Sequence, residues 1–135
     1  MIALLRLLIF SLLLMPMLAS ANNHAVAKEV SLIINGKRLV ASNIRFSKFD
    51  TLELNAQEKV LDKLEAKGVI LIITNQRIIG YGVSSGWRDF KTQAGEKVES
   101  FYVEDYAAFV TTSERFLNFN GETGQWGKQD RRTER

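Results

Sequence analysis

The sequence contains no cysteine, and it has a single histidine and a single proline. Without cysteine the chain has no disulfide and no thiol nucleophile, and one histidine speaks against a Ser-His-Asp triad or a histidine-rich metal site. Gly80, Gly82 and Gly86 lack the strand-to-helix setting that a phosphate-binding loop requires. These absences predict a protein that is not an enzyme, and a hydrolase is the alternative that they leave open.

An excess of positive charge is also missing from most of the chain. Residues 22–127 carry 13 basic and 13 acidic side chains, and the remaining basic groups after Arg6 are Lys128, Arg131, Arg132 and Arg135. Binding to nucleic acid needs a concentrated basic face, which this distribution does not provide. We therefore expect no nucleic-acid partner.

The first residues have the layout of a secretory signal peptide. Leu7–Leu18 is apolar apart from Ser11 and Pro16, and Ala19–Ala21 offers small side chains to a peptidase. The apolar run is shorter than the roughly 20 residues that a membrane-spanning helix needs. We predict cleavage after Ala21, no membrane insertion afterwards, and a periplasmic or secreted protein.

The rest of the chain is organised by an internal repeat of about 38 residues. Residues 32–40, 71–79 and 109–117 each have an apolar run, a short polar turn, an arginine and a second apolar pair. Residues 55–60 also align with residues 93–98. The predicted organisation is a signal peptide (1–21), a mobile amino-terminal segment (22–27), a β-repeat domain (28–127) and a polar carboxyl-terminal tail (128–135).

Each copy of the repeat predicts four short antiparallel strands, so the fold class is all-β. Asn35-Gly36 between apolar runs is a strong signal for a type I′ hairpin, and Val69–Ile73 is continuously apolar, which predicts burial on both faces. Residues 55–58 form a capping-box pattern, and residues 57–67 therefore resemble a helix in isolation. The aligned residues 97–103 are plainly a strand, so we predict a strand here as well.

A family resemblance appears in the third copy. Phe119–Trp126 has the aromatic-polar-x-x-Thr-x-x-Trp spacing of a kelch-type β-propeller blade, and Tyr81–Trp87 is similar but one residue shorter. The resemblance covers about 50 residues, and it implies blade-like four-stranded sheets. The Gly-Gly pair of kelch blades is absent, since Ile73-Thr74 and Thr111-Thr112 stand near its place.

Three repeats can close in more than one way. Propellers have typically four to eight blades, so two chains of three blades could close a six-bladed ring as a homodimer. A β-trefoil would close within one chain, and a small barrel of the pleckstrin-homology type is the third architecture that we consider.

One arginine follows the first turn of each copy, at Arg38, Arg77 and Arg115. They could form an anion-binding ring, or they could cover apolar surface and pair with carboxylates. Repetition in every copy favours the second interpretation. Glu58 and Glu96 also recur, and we expect both of them in exposed turns.

Trp87 aligns with Trp126 if one residue is inserted in the last copy, and the first copy has Lys48 and Phe49 there. The two indoles could stack on sugar rings or pack between neighbouring repeats, and packing is the commoner role. The main interpretation is an exported, non-catalytic binding or assembly module whose protein or glycan partner is unknown. A carbohydrate-binding protein that uses Trp87 and Trp126 is the alternative.

A further alternative is metal binding at the new amino terminus. Cleavage after Ala21 leaves a free amine on Asn22, followed by Asn23 and His24. An amino-terminal x-x-His sequence resembles the known Cu(II)/Ni(II) motif, in which the amine, two amide nitrogens and the imidazole supply four nitrogens in a plane. Such ligation suits both ions, and Cu(II) heads the divalent affinity order. We expect no other cofactor.

The intact mass of the exported protein tests the cleavage site after Ala21. Titration with Cu(II) at neutral pH then tests the metal site. The protein that begins at Asn22, verified by intact mass, should develop the visible d–d band of a four-nitrogen site. The variant His24→Ala should lose this band because the imidazole is gone. Equal spectra and affinities for the two proteins would contradict the prediction.

Overall fold

The computed structural model describes residues 27–132, and within this range the chain forms three antiparallel sheets from eleven strands. Sheet A contains β1 (Val30–Asn35), β2 (Arg38–Asn43) and β3 (Lys48–Glu53). Sheet B contains β4 (Val60–Glu65), β5 (Val69–Thr74), β6 (Arg77–Gly82) and β7 (Gly86–Lys91). Sheet C contains β8 (Val98–Glu104), β9 (Ala107–Thr112), β10 (Arg115–Asn120) and β11 (Trp126–Asp130). Strands that are hydrogen-bonded neighbours in a sheet are also consecutive in the chain.

The prediction of an all-β fold built from three antiparallel repeats is confirmed. Sheets B and C have four strands each, and sheet A has three in the part of the chain that the structure describes. The sheets do not close into a barrel, which the trefoil and pleckstrin-homology alternatives would require. β11 continues to Asp130, three residues into the segment that the sequence assigns to the polar tail. No helix long and apolar enough to cross a membrane occurs in residues 27–132.

The three sheets stack face to face, with sheet B in the middle. One core lies between sheets A and B, and it is built around Val30, Leu39, Ala41, Ile70, Ile72, Ile79, Tyr81 and Val83. The other lies between sheets B and C, and it is built around Val69, Leu71, Ile73, Ile78, Ala108, Val110, Leu117 and Phe119. Successive side chains of a strand point to opposite faces, so β5 contributes to both cores. All six of its residues are buried, as its continuous apolar run predicts.

Each contact between sheets joins two opposite faces. We call the face of a sheet that points towards the next sheet along the chain its leading face, and the opposite face its trailing face. The leading face of sheet A packs on the trailing face of sheet B, and the leading face of sheet B packs on the trailing face of sheet C. The trailing face of sheet A and the leading face of sheet C have no sheet against them in the described residues.

The segment that resembles a helix is a strand, which confirms the prediction from the repeat. β4 runs over Val60–Glu65 and pairs with β5, with an irregularity between Val60 and Asp62. The capping-box bond is nevertheless made, since the backbone N–H of Asn55 donates to Glu58 Oε1 at 3.0 Å. The local hydrogen bond therefore forms in a turn that leads into a strand instead of a helix.

The first hairpin differs in detail from the predicted type I′ turn. Asn35 pairs with Arg38, so the two loop residues are Gly36 and Lys37. Of these two, only Gly36 has a positive φ, at 60°. A positive φ at the first central residue alone is the pattern of a type II′ turn, which accepts any residue at the second position.

Glycine allows the backbones of sheets B and C to approach at one end of the stack. The N–H of Gly68 donates to the Asp105 carbonyl at 2.8 Å, and a Cβ at Gly68 would overlap Cδ1 of the Tyr106 ring. The ring of Tyr106 thus covers Gly68 and leaves no room for a side chain.

Gly68→Ala should lower the free energy of unfolding by about 2–3 kcal/mol, because the new methyl group overlaps the Tyr106 ring. Gly86→Ala is the matched control: a Cβ there meets no atom within 4 Å, and only its φ of 82° is unfavourable. We expect a cost of about 1 kcal/mol for the control. Urea unfolding at 25 °C measures both, and an equal or smaller loss for Gly68→Ala would contradict the steric argument.

Candidate functional site

All three recurrent arginines form ion pairs inside their own sheets, and the pairs of Arg77 and Arg115 are largely buried. Arg77 Nε lies 2.9 Å from Glu58 Oε2, and Arg115 Nε lies 3.0 Å from Glu96 Oε2. Arg38 is exposed, and its Nη2 lies 3.4 Å from Glu53 Oε1. With two guanidinium groups committed to carboxylates, this geometry supports the structural interpretation of the arginines over an anion-binding ring.

The prediction that Glu58 and Glu96 lie in exposed turns is wrong. Their relative exposures are 1% and 9%, because each carboxylate turns inward to an arginine and a threonine hydroxyl. Thr74 Oγ1 donates to Glu58 Oε2 at 2.7 Å, and Thr112 Oγ1 donates to Glu96 in the same way. The Glu, Thr and Arg positions have identical spacings in both copies, and this spacing is the sequence signal that could have identified the cluster.

These contacts keep both carboxyl groups ionised. Burial raises the pKa of Glu58, but hydrogen bonds from Arg77, Thr74 and the Asn55 amide outweigh it and lower the pKa to about 2. The hydrogen bond from Arg115 is the main cause of the lowered pKa of Glu96, which is also about 2, against the opposing effect of burial. The two clusters therefore hold permanent charge pairs at neutral pH.

Stability should fall in acid because both folded pKa values lie below the ordinary value of 4.5. The ion pairs contribute fully above about pH 5, and their contribution is lost as the pH falls towards 2, where the folded protein also takes up protons. Urea unfolding at pH 7, 5 and 3 should show a smaller pH dependence for Glu58→Gln than for the wild type.

The same variant should lose about 3 kcal/mol at pH 7, since it leaves the largely buried charge of Arg77 with only the partly exposed Asp89, 3.3 Å from its Nη1, as a partner. Glu53→Gln removes the exposed pair with Arg38 instead, and it should cost less than about 1 kcal/mol and keep the wild-type pH dependence. An unchanged pH dependence in Glu58→Gln would contradict the assigned role of Glu58.

Trp87 and Trp126 lie on the trailing faces of their sheets, and each one contacts the preceding sheet. Both side chains are partly buried against the cores. Trp87 Nε1 donates to the Asp50 carbonyl at 3.1 Å, and Trp126 Nε1 donates to the Arg88 carbonyl at 3.2 Å. This repeated contact supports packing between repeats as the role of both indoles.

Asn22, Asn23 and His24, the residues of the predicted Cu(II)/Ni(II) site, lie outside the described residues. Within residues 27–132 no three His, Asp or Glu side chains gather in a way that could hold a metal ion.

A polar cluster at one end of the stack, which the sequence did not indicate, connects all three sheets. Arg45, between β2 and β3, lies 2.7 Å from Glu29 Oε2 and donates to Tyr106 Oη at 3.0 Å and to Ser84 Oγ at 3.2 Å. Ser84 in turn donates to Glu122 Oε2 at 3.2 Å. Because Arg45 pairs with Glu29 and hydrogen-bonds to two hydroxyl groups, the cluster is suited to holding the loops together.

Three apolar side chains cross the open trailing face of sheet A. Ile33 and Phe49 are 50% and 68% exposed there, and Val40 lies between the strands that carry them. Among the strand residues of this face that the structure describes, only Arg38 and Glu53 are charged, and they pair with one another at one end of it. Such a face has the charge-free centre that is typical of a protein interface.

The open leading face of sheet C is aromatic. Tyr102 and Phe116 are 56% and 51% exposed, and the ring of Tyr102 stacks on that of Phe109 with centroids 4.6 Å apart. Arg131 lies over the Phe116 ring at the rim of the face. A shallow groove crosses it, lined by Phe109, Phe116, Leu117, Asn118, Gly127, Lys128 and Gln129. Three aromatic rings on one open face mark it as a candidate docking surface.

Neither a family model nor a curated protein matches the chain. The chain is similar to part of a solved structure from S. cerevisiae, in which a Dbp5 variant is bound to Nup159, a Gle1 variant, IP6 and ADP. That match has a TM-score of 0.40 and 10% sequence identity, and it covers 76% of this chain and 31% of the other. A likeness of this size carries no argument about function.

Proposed function

We propose that this protein is an exported, non-catalytic assembly module, which associates with itself through its two open sheet faces. The observation that carries the proposal is that these faces are the unpaired halves of a contact formed twice within the chain. The proposed compartment, periplasmic or extracellular, follows from the signal-peptide layout of residues 1–21.

Exposure of large apolar side chains supports a role for these faces in binding. Ile33, Phe49, Tyr102 and Phe116 have half or more of their surface in contact with solvent in the single chain. Burying such side chains stabilises a complex by roughly 25 cal/mol for each Å² of apolar surface removed from water. Association would therefore relieve an unfavourable feature of the monomer.

The kelch-like spacing at Phe119–Trp126 supports the same proposal. Sheets in a propeller pack face to face around an axis, and each needs a neighbour on both of its faces. The three sheets of residues 27–132 lack two neighbours. Assembly with more sheets of the same kind supplies them, and a homodimer is the smallest assembly that does so.

Sedimentation of the protein that begins at Asn22, over a wide concentration range, tests self-association. The wild type should form a species larger than the monomer. Phe49→Ser and Phe116→Ser should each weaken association at least tenfold, because each removes an aromatic side chain from one open face. Both variants should unfold like the wild-type monomer, since the two residues are exposed.

Phe46→Ser is the matched control. Phe46 is 55% exposed, but it lies in the turn between β2 and β3 and belongs to neither open face. This variant should associate like the wild type. A wild type that stays monomeric at every concentration would overturn the proposal, as would a control that weakens association as much as the face variants.

A further inference from the structure

Resting on the proposed self-association, we propose its geometry: the trailing face of sheet A in one copy docks on the leading face of sheet C in a second copy. The second copy docks on the first in the same way. Two identical contacts then close a ring of six sheets, in which all sheet-to-sheet contacts join a leading face to a trailing face.

Direction is the first argument for this geometry. Both contacts inside the chain join a leading face to a trailing face, and neither joins two faces of the same kind. Within residues 27–132, one face of each kind is open, at opposite ends of the stack. The two open faces are therefore one leading and one trailing face, which is the combination that packs together inside the chain. Two copies of the same open face would not give this combination.

Equivalent positions are the second argument. On the trailing faces, Ile33 in sheet A corresponds to Ile72 in sheet B and Val110 in sheet C, all three apolar. Ile72 and Val110 are completely or almost completely buried under the preceding sheet. Ile33 keeps the same apolar character although half of its surface is exposed, which is expected if a sheet covers it in the assembly.

The leading faces show the same correspondence. Phe109 and Phe116 in sheet C stand where Leu71 and Ile78 stand in sheet B, and the latter pair is fully buried by sheet C. The aromatic rings are larger than the aliphatic side chains that they replace. They can therefore fill space against the open face of sheet A, whose Ser31 and Ser42 are smaller than their counterparts in sheet B.

The tryptophan contact gives the proposal its most specific feature. Trp87 donates to the carbonyl of Asp50, and Trp126 donates to the carbonyl of Arg88, which stands in sheet B where Asp50 stands in sheet A. In sheet C the equivalent carbonyl is that of Gly127. In sheet A the residue equivalent to the two tryptophans is Phe49. Gly127 also lines the groove on the leading face of sheet C. In the proposed contact Phe49 enters this groove beside Gly127 of the second copy.

The number of sheets is compatible with a closed ring. A contact between unlike faces either closes into a ring or continues into a filament, depending on the rotation between neighbours. Two copies supply six sheets, which lies within the range of four to eight that radial stacks of four-stranded sheets adopt. We therefore expect a dimer that does not grow further.

Mixing two blocked variants tests the head-to-tail geometry. Ile33→Glu places a charge on the trailing face of sheet A, and Phe116→Glu does the same on the leading face of sheet C. Each variant alone should be monomeric, because each of its contacts includes a blocked face. An equimolar mixture should form a one-to-one dimer through the single contact whose two faces are both intact, and the double variant should not be rescued by either.

The outcomes separate this inference from the proposed function. A wild type that does not associate overturns both. A wild type that associates while Phe116→Glu or Ile33→Glu alone remains dimeric overturns only the head-to-tail contact, because like faces then pair. A mixture that stays monomeric overturns it too, and a wild type that forms a continuing series of oligomers overturns closure.

Phe49→Trp should increase the affinity between the two copies, which a purely apolar contact would not predict. The indole N–H can donate to the Gly127 carbonyl of the second copy, as Trp87 and Trp126 donate within the chain. We expect the dimer dissociation constant to fall roughly ten- to hundredfold, in line with one added hydrogen bond in each of the two contacts. Phe46→Trp should leave the dissociation constant unchanged, and equal effects of the two variants would contradict the proposed contact.

Discussion

Burial of both faces of sheet B is the constraint on which the rest of the structure depends. β5 carries apolar side chains on its two sides without interruption from Val69 to Ile73, so water must be excluded from both sides of it. One neighbouring sheet cannot do this. Sheets A and C each cover one side, and the three repeats consequently form one unit in which the removal of either outer sheet would expose half of the interior.

The buried ion pairs of sheets B and C are related to the same constraint. The turns before β4 and β8 lie against the cores, so their polar groups need partners there. Glu58 and Arg77 satisfy the turn amides and the threonine hydroxyl there, and they stabilise little beyond that. Sheet A has Asn35 and the exposed Arg38 at the matching positions of the repeat. It is instead attached to sheet B by hydrogen bonds of Tyr81, which accepts from Asn43 and donates to Asp50 at 2.6 Å.

The repeat, the all-β class, the strand over residues 60–65 and the double burial of Val69–Ile73 could all be predicted, since they depend on local pattern and on alignment between copies. The ion pairs could not, because a single glutamate in a polar turn has the same local pattern whether it faces solvent or an arginine. The open faces were also missed. Their residues alternate with buried ones along each strand, and only the order of stacking decides which side of sheets A and C remains uncovered.

The end faces differ from the internal faces in a way that bears on the proposed contact. Ser31 and Ser42 stand where Ile70 and Tyr81 fill the core between sheets A and B, so the trailing face of sheet A is apolar only at Ile33, Val40 and Phe49. A contact with this composition resembles reversible interfaces more than a domain core. Such a chain can fold alone first, because sheets A and C already cover sheet B. It can associate afterwards, because its partly polar open faces tolerate contact with water in the monomer.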